Sequence, residues 1–125
     1  MNVVDSSAWL EYFANGSHAA FFASPIEAVD ELIVPSLTIY EVFKRVLQQR
    51  DEGDALRAVA VMQQGSVIDL DARLALLAAR LSLDTRLPMA ESIVLATARL
   101  HQATLWTQDG DFANLPGVRY RSRRT

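Results

Sequence analysis

Cysteine is absent from this chain of 125 residues, which excludes a disulfide framework, a thiolate zinc site and a cysteine nucleophile. The two histidines, His18 and His101, lack the short HxxH-type spacing of a zinc pair. No glycine-rich phosphate loop is present, which argues against a nucleotide-cofactor enzyme. Glycine and proline are scarce, at 5 and 4 residues, while half the chain is hydrophobic. That is the composition of a folded chain rather than a disordered one. No apolar run approaches the ~18 residues of a bilayer span. The opening Met1-Asn2-Val3-Val4-Asp5 lacks the basic and long apolar regions of a signal peptide, so a cytoplasmic protein without a membrane partner is expected. Lysine is nearly missing too. Of 12 basic residues only Lys44 is a lysine, and Arg119, Arg121, Arg123 and Arg124 crowd the last seven positions of a chain whose net charge is −3. A basic tail on an acidic body suits an acidic site with a flank facing a polyanion, and equally suits a solvated tail with no partner.

The length predicts one domain, residues 1–125, with a real core. Asn2 to Val4 is a short β-branched run, broken by Asp5-Ser6-Ser7, after which Ala8, Trp9 and Tyr12 restart the apolar pattern at helical spacing. Asp5 is thereby delivered from a strand end into a helix start, where it is either a helix cap or a metal ligand. Ser17 can cap a second helix through Ala19–Phe22, with Pro25 interrupting it and residues 26–32 resuming the pattern. Further strands are expected at residues 32–34, 66–68, 103–106 and 118–120. Further helices are expected from a Ser36 cap to about Arg50, over 55–63, over 73–83, and from Leu87-Pro88 to about Gln102. Asp69 and Asp71 read as caps of the third of these, and Trp9, Trp106 and the phenylalanines as core. Strands alternating with helices imply right-handed crossovers, and so an α/β fold with a mostly parallel central sheet.

Four acids stand out against this frame. Asp5 ends the first strand, Glu41 lies early in the helix after the second, Glu91 opens the helix before the fourth, and Asp109 follows the fourth. In a doubly wound sheet these positions share one edge, where ligands bind. Clustered carboxylates are ligands for hard divalent cations such as Mg²⁺, and paired metal ions can serve phosphodiester cleavage. Each acid also has a structural reading. Glu41 follows Thr38 by three, the spacing of a capping box, and could pair with Lys44 or Arg45. Glu91 suits the dipole at a helix start. Asp109-Gly110 is an ordinary turn pair.

Val-Val-Asp-Ser-Ser at the start resembles the opening motif of PIN-domain nucleases, and Leu-Trp-Thr-Gln-Asp-Gly-Asp-Phe (105–112) their closing Thr-x-Asp-x-Asp-Phe. Ser-Leu-Thr-Ile-Tyr-Glu-Val (36–42) is similar to the helix that supplies their glutamate. Leu-Pro-Met-Ala-Glu-Ser-Ile-Val-Leu-Ala-Thr-Ala (87–98) is similar to the helix that carries their third acid. The motifs run in order over nearly the whole chain, and the small size resembles the VapC-type toxins of toxin–antitoxin pairs. The resemblance implies a three-layer α/β/α PIN-like domain and a Mg²⁺- or Mn²⁺-dependent endoribonuclease. Asp5, Glu41, Glu91 and Asp109 would form its acidic pocket, with Asp111 as a peripheral acid and Ser7 and Thr107 orienting carboxylates or waters. It also implies a homodimer and a small VapB-type antitoxin. The tail arginines could then contact RNA phosphates, a term that fades with salt. One departure matters: the third acid of such families is usually Asp, and here it is Glu91. A PIN-like module that binds antitoxin or RNA without cleaving is the alternative this substitution raises. A phospho-receiver domain would need a second acid beside Asp5 and a lysine after the fifth strand, and the only lysine is Lys44.

Overall fold

The structure, a computed structural model, describes residues 1–123. Five strands, β1 (Asn2–Val4), β2 (Leu32–Pro35), β3 (Ser66–Ile68), β4 (Thr104–Thr107) and β5 (Val118–Tyr120), form one sheet in the order β3-β2-β1-β4-β5. Every pairing is parallel, so the sheet is wholly rather than mostly parallel. From β1 the chain steps outward to β2 and β3, then crosses back to β4 and β5 on the other side of β1. The order therefore reverses between β1 and β4, and a crevice opens outside their carboxyl ends.

Six helices among the described residues cover the two faces: α1 (Ser6–Phe13), α2 (Ala19–Glu27), α3 (Ser36–Gln49), α4 (Glu52–Met62), α5 (Ala72–Thr85) and α6 (Met89–Leu100). Alternation along β1 shows the layering directly. Val3 packs into one cluster with Leu74, Leu81, Val94 and Leu95 of α5 and α6. Its neighbour Val4 packs into the other, with Trp9, Phe22, Val42 and Met62 of α1 to α4. Both valines are fully buried, as a central parallel strand covered on both faces requires. None of the helices among the described residues is long and apolar enough to cross a membrane.

Several local expectations are corrected. Pro25 does not interrupt a helix, because α2 runs through it to Glu27 and a separate 3-10 turn, Val29–Glu31, follows. Proline here lies in the last turn and is buried against the core, so packing outweighs one lost backbone bond. Ser17 is not the cap of α2; His18 holds that position, and its N–H is taken by the Glu11 carboxylate at 2.8 Å. Ser36 is the first residue of α3 rather than its cap, which is Pro35, and the Thr38 hydroxyl donates to the Pro35 carbonyl. Helix α4 begins at Glu52 because Asp51 caps it, accepting from the Asp54 N–H. Asp71 caps α5 through the Leu74 N–H, as expected.

Candidate functional site

Asp5 leaves β1 with its backbone N–H still bound to the Trp106 carbonyl of β4, which fixes it at the sheet edge. One carboxylate oxygen accepts from the Ser7 hydroxyl at 2.7 Å and the Ala8 N–H at 3.2 Å. The other accepts from the Thr107 hydroxyl at 2.8 Å. Asp5 is thus the cap of α1 and a member of the cleft at once, so the two sequence readings do not compete. Both hydroxyls are themselves oriented by the segment that follows β4. Ser7 accepts the Gln108 N–H at 3.1 Å, and Thr107 accepts the Asp109 N–H at 2.8 Å. Each hydroxyl's lone pairs face a backbone donor, which turns its proton toward Asp5.

Asp5 is only 5 % exposed. Burial pushes its carboxyl up to about 6, with the neighbouring Asp109 adding a smaller push and the three hydrogen bonds opposing. Glu41 projects from α3 toward the same cleft. It is raised above the ordinary carboxylate range by burial, and a hydrogen bond from Ser6 opposes that rise. Glu91, in the first turn of α6, is pushed up to about 7, first by burial and then by the charges of Asp109, Asp111 and Glu41. Asp109 caps the 3-10 turn Gly110–Phe112 by accepting from the Asp111 N–H at 2.9 Å.

The four sequence-selected acids line one cleft of about 180 Å³, together with Ser7 and Ser6. Glu91, Asp109 and Asp111 come closest, each offering an oxygen within 4.8 Å of the others'. The capping-box reading of Glu41 does not hold, since Thr38 bonds the Pro35 carbonyl. The ion pairs among the described residues involve only Arg50, Asp54 and Arg57, so Lys44 and Arg45 do not neutralise Glu41. Lys44 instead lies over the Tyr40 ring, 5.7 Å from its centre. Thr107 is fully buried beneath the cleft, Ser7 partly so.

Two residues at the site, Ser6 and Gln108, escape sequence reading, and a third, Arg123, is legible there only as part of a basic tail that could meet RNA phosphates. Ser6 donates to Glu41. Gln108 contributes its backbone N–H and side-chain amide to Ser7. Arg123 lies on the cleft wall. Ser6 and Gln108 are inside the quoted motifs but are indistinguishable there from spacers. The tail is not simply solvated. The Arg119 guanidinium stacks over Trp106 at 4.6 Å and Arg121 over Phe21 at 4.2 Å. Arg124 lies outside the described residues.

A wholly parallel α/β/α sheet with carboxylates gathered at the carboxyl ends of its central strands defines a class of site suited to a hard cation. Residues 3–118 match the PIN domain family, and the chain belongs to it. No curated protein sequence matches the chain, whereas solved structures match well. A chain of a toxin–antitoxin complex from Klebsiella pneumoniae superposes with a TM-score of 0.79 at 26% identity, covering 95% of this chain and 96% of that one. VapC20 of Mycobacterium tuberculosis, a toxin described as cleaving the sarcin–ricin loop, gives 0.76 at 14% identity over 93% and 95%. PAE2754 from Pyrobaculum aerophilum gives 0.73 at 24% identity over 95% and 87%.

Proposed function

We propose that the chain is a VapC-type endoribonuclease, the toxin of a type II toxin–antitoxin pair, acting in the cytoplasm on RNA phosphodiesters. The observation that carries this reading is the convergence of Asp5, Glu41, Glu91 and Asp109 on one cleft. The carboxylate donors there are oxygen only, without His or Cys, a set that fits Mg²⁺ or Mn²⁺. Burial first, and then repulsion from Asp109, Asp111 and Glu41, raises Glu91, and a bound cation relieves that repulsion. Glu91, Asp109 and Asp111 would hold one ion, with Asp5 and Glu41 completing the oxygen set or holding waters. When bound, Mg²⁺ or Mn²⁺ supplies a Lewis acid that activates water and neutralises charge on the phosphodiester.

The chain's own residues do the positioning. Ser7 and Thr107 lock both oxygens of Asp5 in one orientation, removing a torsion that would otherwise need ordering. Glu91, raised to about 7 while the cleft is empty, would give up its proton on taking the cation, which ties metal binding to pH. The toxin-complex relatives support a cognate VapB-type antitoxin as partner; a homodimer is implied by the family resemblance alone. The non-cleaving alternative rests on Glu91 standing where Asp is usual. Its carboxylate nonetheless reaches Asp109 and Asp111, so the added methylene is accommodated and the active reading is favoured.

Cleavage of a mixed pool of structured RNAs by purified protein, with Mg²⁺, with Mn²⁺ and with EDTA, tests the reading. Metal-dependent cutting that Asp109→Asn abolishes is expected. Cutting that survives both EDTA and Asp109→Asn would overturn the site. No cutting by the wild type, with activity gained by Glu91→Asp, would establish the non-cleaving alternative.

A further inference from the structure

At the carboxyl edge of the sheet a row of side chains runs from the cleft out to the last strand, and register sets it. Val3 pairs with Leu105 and Leu105 with Val118, and all three pack on the α5–α6 side. Val4, Trp106 and Arg119 pair one rung later and face the other side, where Arg119 lies over Trp106 and Phe21. Alternation then returns Thr107 and its partner Tyr120 to the α6 side on the final rung. Thr107 donates its hydroxyl to Asp5. Tyr120, partly buried, reaches past it to the turn Gly110–Phe112, and its hydroxyl oxygen stands 3.7 Å from the point that a Cβ on Gly110 would take. No other side chain among the described residues, chain neighbours aside, comes within 4 Å of that point.

That turn carries Asp109 and Asp111. The two acids and Glu91 offer oxygens within 4.8 Å of one another, and carboxylates held that close repel. The repulsion works to part the turn from α6, so the turn must be held. One end is fixed by the Asp109 N–H on the Thr107 hydroxyl, and the other by Phe112, fully buried in the core. The middle is Gly110, exposed and without a side chain of its own, so its brace has to come from another element. We propose that Tyr120 is a positioning residue for the metal centre: the end of its ring bears on the turn at Gly110 and keeps the Asp109 and Asp111 carboxylates within reach of Glu91. The inference rests on the divalent-metal reading above and adds to it a residue that lines no part of the cleft and belongs to none of the quoted motifs.

The test is Mn²⁺ affinity at one fixed pH, read from the electron paramagnetic resonance signal of the free ion. Tyr120→Val removes the ring and should weaken binding about tenfold, the low end of what outer partners of a metal site contribute. Tyr120→Phe removes only the hydroxyl that makes the contact and should lose less. Gly110 lies outside the left-handed region and has room for a methyl group. Gly110→Ala should therefore leave the wild-type affinity unchanged and, added to Tyr120→Phe, restore what that variant lost, while doing nothing for Tyr120→Val. Asp71→Ala, which lowers stability through a helix cap, should bind Mn²⁺ as the wild type does and so separates positioning from stability. Equal affinity in the wild type and both Tyr120 variants would overturn the brace and leave the metal centre standing. A loss in Tyr120→Phe that Gly110→Ala does not restore would overturn the contact at Gly110 as its cause, and the proposal with it. A wild type that binds no Mn²⁺ overturns both the brace and the metal centre.

Discussion

Replacing Asp5 by Asn should stabilise the metal-free protein at neutral pH, although it removes a residue at the centre of the cleft. The folded-state value of about 6 stands above the ordinary 3.8 because the carboxylate is buried. At 1.36 kcal/mol per pH unit, keeping Asp5 ionised in the folded chain costs about 3 kcal/mol at neutral pH. Asparagine removes that cost but disturbs one hydrogen bond. Its oxygen can still accept from Ser7 and Ala8, while its amide must face the Thr107 hydroxyl that now donates. That mismatch costs about 1–1.5 kcal/mol. The net gain is then about 1.5–2 kcal/mol, or roughly 5–10 °C in Tm for a domain of this size.

The sign of the pH dependence follows from the same shift. Between 3.8 and about 6 the folded state binds more protons than the unfolded state, so wild-type stability falls as pH rises through that window. Thermal unfolding in EDTA at about pH 7.5 should therefore favour the Asn variant, and at about pH 4 the advantage should vanish or reverse. An equal gain at both pH values, or a loss at the higher one, would refute the reasoning. Adding Mn²⁺ should stabilise the wild type more than the variant, which keeps Glu91, Asp109 and Asp111 but loses one carboxylate of the cleft.

Other substitutions probe the scaffold beneath the cleft. Thr107→Val keeps the shape but removes both the donor to Asp5 and the acceptor for the Asp109 N–H. It should destabilise by about 1–3 kcal/mol in urea unfolding and depress metal-dependent cleavage more than Asp71→Ala does. Asp71→Ala, which removes a helix cap that does not line the cleft, should cost about 1 kcal/mol by the same measurement and leave cleavage unchanged. At Gly65 an added Cβ would come within 2.9 Å of the Leu32 side chain and carbonyl oxygen. Gly65→Ala should therefore lower stability by about 1–3 kcal/mol, as overpacking does, and a neutral result would mean that β2 and the turn before β3 can separate without penalty.

What the sequence showed and what it hid follow from the range of the interactions involved. Local patterns were legible. The β-branched run before Asp5, the Leu- and Ala-rich stretch of α5 and the Leu87-Pro88 helix start all lie where periodicity and capping put them. Pro25 was misread because its tolerance depends on lying in a last turn that packs against the core, which no window of neighbours reveals. The start of α4 was set too late because Asp51 acts as a cap through a bond only the folded backbone displays. At the cleft, the acids could be selected by strand ends and motif resemblance. The bonds that orient them could not, because Thr107 reaches Asp5 and Gln108 reaches Ser7 across about a hundred residues of chain. Arg123 shows the same limit: a terminal arginine means little until the fold sets it on the cleft wall.

The central claim is that the converging carboxylates form a divalent metal centre. Equilibrium Mn²⁺ binding, followed by the electron paramagnetic resonance signal of the free ion, tests it without needing the RNA target. Binding by the wild type should strengthen as pH rises through the range in which Asp5 and Glu91 ionise, about 6 and about 7, and Asp109→Asn should abolish it. Mn²⁺ binding that is absent from the wild type, or equal in the Asp109→Asn protein, would contradict the account.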